Sequence, residues 1–245
     1  MPSKIYIGTA GWSIPRPVQQ RFPAGESLLA RYAKVFPAVE INSTFYRPHR
    51  DSTFERWAAS VPRAFRFSVK IPKTITHEQQ LSGSAKLLKQ FLASLSPLGS
   101  RLGCLLVQLP PSFAFEARVT RLFFTAMRNQ FGGGVAIEPR HASWFGESAD
   151  RLLVKFKVAR VAADPPRAEV DGEPGGWRGL AYFRLHGSPR IYYSSYEDDY
   201  LGSLARKLRS LERARIPTWC IFDNTTLGAA TANALSLIRW PAASS

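Results

Sequence analysis

Acidic residues are scarce in this sequence. Its 18 Asp and Glu stand against 33 Lys and Arg, for a formal charge of +15 at pH 7. A field of that sign attracts anions and steers phosphorylated molecules or nucleic acid, and it also serves solubility. Cysteine is nearly missing: Cys104 and Cys220 each sit in an apolar run without a spacing motif. That excludes a disulfide scaffold and a thiolate metal site, and fits buried free thiols in a reducing compartment. No window approaches the roughly 18 consecutive apolar residues of a membrane span, so no membrane partner is expected. The opening MPSKIYIG lacks the apolar segment of a signal peptide, and the expected location is cytoplasmic. Also lacking are a GxSxG elbow, the HExxH, HxH and CxxC spacings, and a Gly-rich nucleotide loop. The FGGG at 131–134 reads as a turn before a strand. No repeat, low-complexity tract or linker divides the chain, so residues 1–245 read as one domain.

Apolar residues, by contrast, make up 45% of the chain and aromatics 12%, enough for a sizeable core. Short runs rich in β-branched and aromatic residues recur: IYIGTA, AVEINST, FRFSVKIP, CLLVQLPP, GVAIEPR, VARVAAD, AYFRLHG and WCIFDNT. Between most of them apolar residues fall at i, i+3 and i+4. The pattern is clearest in ESLLARYAKVF, STFERWAASV, SAKLLKQFLASLS, RVTRLFFTAMRNQF, SLARKLRSLERAR and AATANALSLI. Strands alternating with helices predict parallel βα units. Eight of them in about 250 residues predict an α/β fold of the (β/α)8, TIM-barrel-like kind, with an open doubly wound sheet as the alternative. Two places are irregular. PPRAEVDGEPGGWRG after the sixth strand breaks any helix with its Pro and Gly, so one crossover helix is expected to be replaced by a loop. The first connection, SIPRPVQQRFPAG, is long and carries three prolines.

In such a barrel, catalytic groups sit at the C-terminal ends of the strands. Those ends offer Glu40 and Asn42, Ser68 and Lys70, Gln108, then Glu138, Arg140 and His141. Asp164, Arg184, His186, Asp223 and Asn224 complete the set. Period two sorts them by face. Phe65, Phe67, Val69 and Ile71 oppose Arg66, Ser68 and Lys70; Phe183 and Leu185 oppose Tyr182, Arg184 and His186; Val39 and Ile41 oppose Glu40 and Asn42. The apolar faces are expected against the outer helices, which turns the polar ones into the barrel mouth. Glu138 and Arg140 share the inward parity of Ala136, whereas His141 has the opposite parity and is the weaker member. A purely structural explanation competes, because buried charges are tolerated when paired, as Glu40 or Glu138 with Arg140 or Arg184.

The motifs GTAGWS, EINSTFYR, FSVKIPKTITH, QLPPSF, EPRHASW, YFRLHG and IFDNT follow in this order. Together they closely resemble the YecE-like family, also called domain of unknown function 72, over nearly the whole chain. The resemblance implies a TIM-barrel-like fold and no settled activity. The motif residues it carries onto this sequence are Trp12, Glu40, Asn42, Lys70, His77, Gln108, Glu138, Arg140, His141, Arg184, His186, Asp223 and Asn224.

Carboxylates and imidazoles could ligate a divalent ion that activates water. No ligand spacing supports one, and Lys70, Arg140 and Arg184 would repel it. A metal is therefore not favoured, no metal ligand is assigned, and the cofactor is left unknown. The same cations suit an anion, since Arg recognises phosphate or carboxylate bidentately. A helix start near Thr225 or Thr226 is a second phosphate candidate, or an ordinary Thr cap. The expected catalytic groups are Glu138 as base, His186 and His141 as acid–base groups, and Asp223 and Glu40 as further carboxylates. A glycosidase-type pair of Glu40 or Glu138 with Asp223 is a variant of this. Lys70, Arg140, Arg184, Asn42, Gln108, Asn224 and Trp12 form the expected substrate-binding set. Tyr192, Tyr193, Tyr196 and Tyr200 could stack bases or sugars, or fold over the mouth as a lid or packing layer. Trp12 and Trp144 could wall the pocket, and Arg206, Lys207, Arg209, Arg213 and Arg215 read as a solvated helix face. The primary expectation is an enzyme, with hydrolysis as the reaction class in view, acting on a small anionic, phosphate-containing substrate or on nucleic acid. The alternative is a non-catalytic nucleic-acid-binding protein that uses its basic surface.

Overall fold

In the computed structural model, which describes residues 5–166 and 172–240, strands form where the β-branched and aromatic runs lie. They are β1 (Ile5–Thr9), β2 (Ala38–Ile41), β3 (Arg66–Lys70), β4 (Leu102–Gln108), β5 (Gly134–Glu138), β6 (Ala159–Arg160), β7 (Ala162–Asp164), β8 (Gly175–Gly176), β9 (Ala181–Leu185) and β10 (Thr218–Phe222). The helices are α1 (Leu28–Ala33), α2 (Ser43–Tyr46), α3 (Asp51–Ala59), α4 (Ala85–Ser94), α5 (Ala117–Arg128), α6 (Glu147–Lys155), α7 (Asp198–Arg213) and α8 (Ala229–Arg239). Helix α6 lacks the long periodic run of the others, but it buries Ala149, Leu152 and Leu153 at helical spacing. Helix α7 begins before the SLARKL run, because Asp198 and Asp199 suit the positive end of the helix dipole.

The strands form an α/β fold of two mainly parallel sheets. One runs β2-β3-β4-β5-β6, with β8 added antiparallel to β6; the other runs β1-β10-β9-β7. The sixth strand of the sequence is thus divided at Val161: its first half pairs with β5 and its second with β9. At the other seam β1 meets β2 only through the parallel bridge of Ala10 and Glu40 and the bond from Gly11 N to Glu40 O. Gly8 permits that approach, because a Cβ there would stand 2.1 Å from the Ala38 carbonyl oxygen. The ladder is therefore interrupted at two seams. Between β7 and β9 the described residues contain β8 and no helix, as the Pro and Gly predicted, while 167–171 of that connection lie outside the described residues.

Period two divides the core. Val39, Ile41, Phe67, Val69, Phe183 and Leu185 face the helices, where they meet Leu29, Phe54, Leu88, Phe124 and Leu204. A smaller cluster of Ala38, Cys104, Leu106, Ala136, Tyr182, Trp219 and Ile221 lies on the opposite strand faces. One inward step beyond it along each strand, the residues become polar: Glu40, Gln108, Glu138, Arg184 and Asp223, all buried. Both cysteines are free, and burial pushes their thiols up. Among the described residues no helix is long and apolar enough to cross a membrane.

Candidate functional site

The polar strand ends converge on Arg184 of β9, which is 1% exposed. Its Nε and Nη2 donate to the Glu40 carboxylate of β2 at 2.9–3.2 Å, and Nη1 donates to Glu138 Oε2 of β5 at 3.1 Å. Nη2 also lies 3.0 Å from Asp223 Oδ2, just past β10. His186, one inward position further along, joins two of the same acids. Its Nε2 is 2.9 Å from Glu138 Oε1 and its Nδ1 is 3.0 Å from Asp223 Oδ2. Tyr182 donates its hydroxyl to Glu40 Oε2 at 2.7 Å and stands 2.9 Å from Ser68 Oγ. Gln108 Nε2 donates to Glu138 Oε2 at 3.0 Å, and Asn42 Nδ2 reaches Asp223 Oδ1 at 3.4 Å. Each acid has several donors, the condition under which buried charge is tolerated.

These contacts fix the protonation states. Burial works against ionising Glu138, but Arg184, His186 and Arg140 outweigh it and hold the carboxyl well below the usual range. Burial likewise opposes Asp223, and Arg184 and His186 hold it low. Burial disfavours the imidazolium of His186, yet Glu138 and the bond to Asp223 raise its pKa.

Two cations at the mouth are not absorbed. Lys70, at the end of β3, is 6% exposed, and its ammonium lies 4.1 Å from the centre of the Phe45 ring. Among the described residues it forms no ion pair. Burial, and then Arg184, lower its pKa to about 8. The Arg140 side chain, 15% exposed, meets Glu138 only at 3.7 Å and the Tyr192 hydroxyl at 3.5 Å, and its Nε is buried without a partner. A π-helical turn, Thr74–Glu78, brings His77 edge-on to Phe45 at 4.9 Å. Burial, Lys70 and Arg140 all lower the His77 pKa, which favours its neutral form. Tyr192 stands at right angles to His186, 5.7 Å away. The position a divalent ion would take between the three acids is filled by the Arg184 guanidinium. Among the described residues no group of His, Cys, Asp or Glu could hold a metal ion. Beside the mouth lies a separate, mainly apolar cavity of about 390 Å³ between Phe45, Phe54, Ile75, Leu87 and Phe91, which none of the charged ring lines.

Of the sequence candidates, Glu40, Asn42, Lys70, Gln108, Glu138, Arg140, Arg184, His186 and Asp223 come together. His141 does not. Its opposite parity turns it to the 3-10 turn Ala142–Phe145, where Nδ1 accepts from the Ser143 amide. Asn224 also faces away, donating to Ser194 O and Asn233 Oδ1. Arg184 is too deep and too fully paired to grip a substrate anion. Trp12 packs edge-on against Trp57 at 5.0 Å, and Trp144 is buried against Phe113 and Phe115, so Trp144 walls the core and not the pocket. Thr225 and Thr226 belong to an exposed turn; α8 is capped by Gly228. Asp164 accepts from Tyr196, which stacks on Tyr200 as a packing layer. On α7, Lys207 pairs with Glu173, Arg206 bonds Ser203 Oγ and Arg213 is exposed, as is Arg215 just beyond the helix. Tyr192, expected as a stacking or lid tyrosine, does stand at the site beside His186 and Arg140, whereas Tyr182 and Phe45 were missed as site residues. Only the inward parity of Tyr182 was visible, because its partner Glu40 is 142 residues away.

Residues 6–243 match the family described as protein of unknown function DUF72. The chain is 34% identical to UPF0759 protein YecE of Escherichia coli K12 over 166 residues, 65% of this chain and 59% of that protein. The match thus spans less than two thirds of that relative's length. It is 28% identical to UPF0759 protein YunF of Bacillus subtilis over 265 aligned positions, 96% of this chain and 94% of that protein. The crystal structure of a DUF72 family protein from Thermotoga maritima superposes with a TM-score of 0.77 at 27% identity, covering 96% of this chain and 98% of that one. None of these descriptions states a reaction.

Proposed function

The chain belongs to the DUF72 family, and from that premise, which supplies a fold and no reaction, we propose that it is an enzyme acting on a small anionic, phosphate-containing substrate at the charged mouth. In this reading the two sheets are halves of an irregular (β/α)8 barrel, whose strand C-termini form the active face. The observation that carries it is the charge left over in the mouth. Arg184 and protonated His186 set two positive charges against the three carboxylates of Glu40, Glu138 and Asp223, and Lys70 and Arg140 add two more, which leaves the mouth a net charge of +1; among the described residues Lys70 pairs with no acid and Arg140 meets one only at 3.7 Å. Arg140 takes the anion with its planar fork, and Lys70 adds a positive field. Arg184 is a floor that holds the three acids in place. His186, held toward its protonated form by Glu138 and Asp223, which take both its ring nitrogens, adds a second fixed positive charge beneath the site. Fixed charge of this kind stabilises negative charge that develops during hydrolysis without reorganisation.

Calorimetric titration with inorganic phosphate and with ribose 5-phosphate tests the reading. Wild type is expected to bind both, and Arg140→Ala to weaken binding about tenfold, as for one lost charge-assisted contact. Unchanged binding in Arg140→Ala would remove the mouth from consideration. The net charge of +15 supports a second reading, nucleic-acid binding by the surface. DNA affinity that survives Arg140→Ala and falls steeply with salt would favour it.

A further inference from the structure

Lys70 is placed oddly for a group that only holds an anion. It sits at the inward C-terminal end of β3, nearly buried, with its ammonium over the Phe45 ring and not beside an acid. Three carboxylates share the mouth, but Arg184 and His186 take them. The charged and titratable groups that act on it are Arg184, Glu40, Glu138 and Asp223 from the ring and His77 from the π-helical turn. Burial and a neighbouring cation are the two devices that make a lysine nucleophilic, because both favour the neutral amine.

We propose that Lys70 forms an imine with an aldehyde or ketone that also carries a phosphate or carboxylate, which rests on the anion-binding reading above, with Arg140 gripping the anionic group. Nζ adds to the carbonyl carbon, and the C=O bond becomes a C–O single bond. Loss of the oxygen then leaves C=N. Both amine hydrogens depart with that oxygen as water, and nothing is oxidised or reduced. The protonated imine draws electrons from the adjacent carbon, which suits proton removal or bond cleavage next to it. With a pKa of about 8, roughly a quarter of Lys70 is neutral at about pH 7.5, against about a thousandth of an ordinary lysine.

The test is borohydride trapping on the full chain with pyruvate and with glyceraldehyde 3-phosphate, read by peptide mass mapping. The expected result is a reduced adduct on the Lys70 peptide at least about tenfold above any other lysine, as its larger neutral fraction requires. The adduct should disappear in Lys70→Arg. Competitive acetic anhydride labelling of the wild type, which needs no variant to fold, should show Lys70 titrating well below the surface lysines. Phosphate binding with no adduct, or with adduct spread evenly over the lysines, overturns the imine and leaves the anion reading standing. Neither binding nor adduct overturns both.

Discussion

Arg184 contacts three acids and Lys70, among the described residues, pairs with none, although both belong to one mouth, and substitution should separate them. Arg184→Met strands Glu40, Glu138 and Asp223 in a buried site, and losing one partner of a buried pair costs about 3–5 kcal/mol. Urea denaturation at neutral pH should show that loss, in part recovered at acid pH where the carboxylates protonate. Lys70→Met removes a buried ammonium that has no ion pair among the described residues, so its melting temperature should equal or exceed that of wild type. Destabilisation as large as that of Arg184→Met would show Lys70 to be structural. His186 gives these residues a pH signature. Its pKa is raised on folding, so its stabilisation is fully present below about 6.5, the unfolded value, and fades as pH rises through the higher folded value. Glu138 and Asp223 are lowered on folding, so theirs is present above the ordinary carboxylate range and lost as pH falls through the folded values. Melting temperature should therefore fall toward acid pH, while above neutrality the His186 loss runs against the gain made as Lys70 sheds its buried charge through about 8; His186→Gln should remove the loss and leave the gain.

At the scale of the elements, period two made much of the site legible. A strand that packs one face on helices has no freedom of register, so Glu40, Lys70, Arg184 and His186 had to point together. The same rule separates Glu138 and Arg140 from His141, as the structure has them; it was not applied to Asn224, which was expected in the site with Asp223 and faces away. It could not say which cations would be neutralised, because Glu40 and Arg184 meet across 144 residues of chain. The division of the sixth strand was equally hidden, since VARVAAD reads as one run and splits only because its halves find different neighbours. The opposite seam rests on Gly8. In most strands a Gly→Ala change is stabilising, by reducing the freedom of the unfolded chain. At Gly8 the new methyl would overlap the Ala38 carbonyl, so Gly8→Ala should instead cost about 1–3 kcal/mol or more, as overpacking does. Chemical denaturation of Gly8→Ala checks the sign, and a stabilised variant would mean that β1 and β2 are not held this close.

Over the whole molecule, the excess of 15 positive charges and the proposed site at the mouth would be two separate sources of affinity for anions, and composition shows only their sum. Salt distinguishes them. Exposed charges are screened beyond about 8–10 Å at physiological ionic strength, whereas buried ones are screened much less. A polyanion held by the surface releases counterions, so its affinity should drop by about 10³ or more between roughly 50 and 200 mM salt if it spans six or more phosphates. Inorganic phosphate gripped by Arg140 beside the nearly buried Lys70 should weaken far less over the same range. Titrating both ligands into wild type and into the Lys70→Ala, Arg140→Ala double variant completes the comparison. The double variant should lose phosphate while retaining any DNA affinity and its steep salt slope, because two of 33 basic residues are a small part of the surface field. If phosphate and DNA instead share one salt slope, and both survive the double variant, the mouth is a structural charge network and anion binding belongs to the surface.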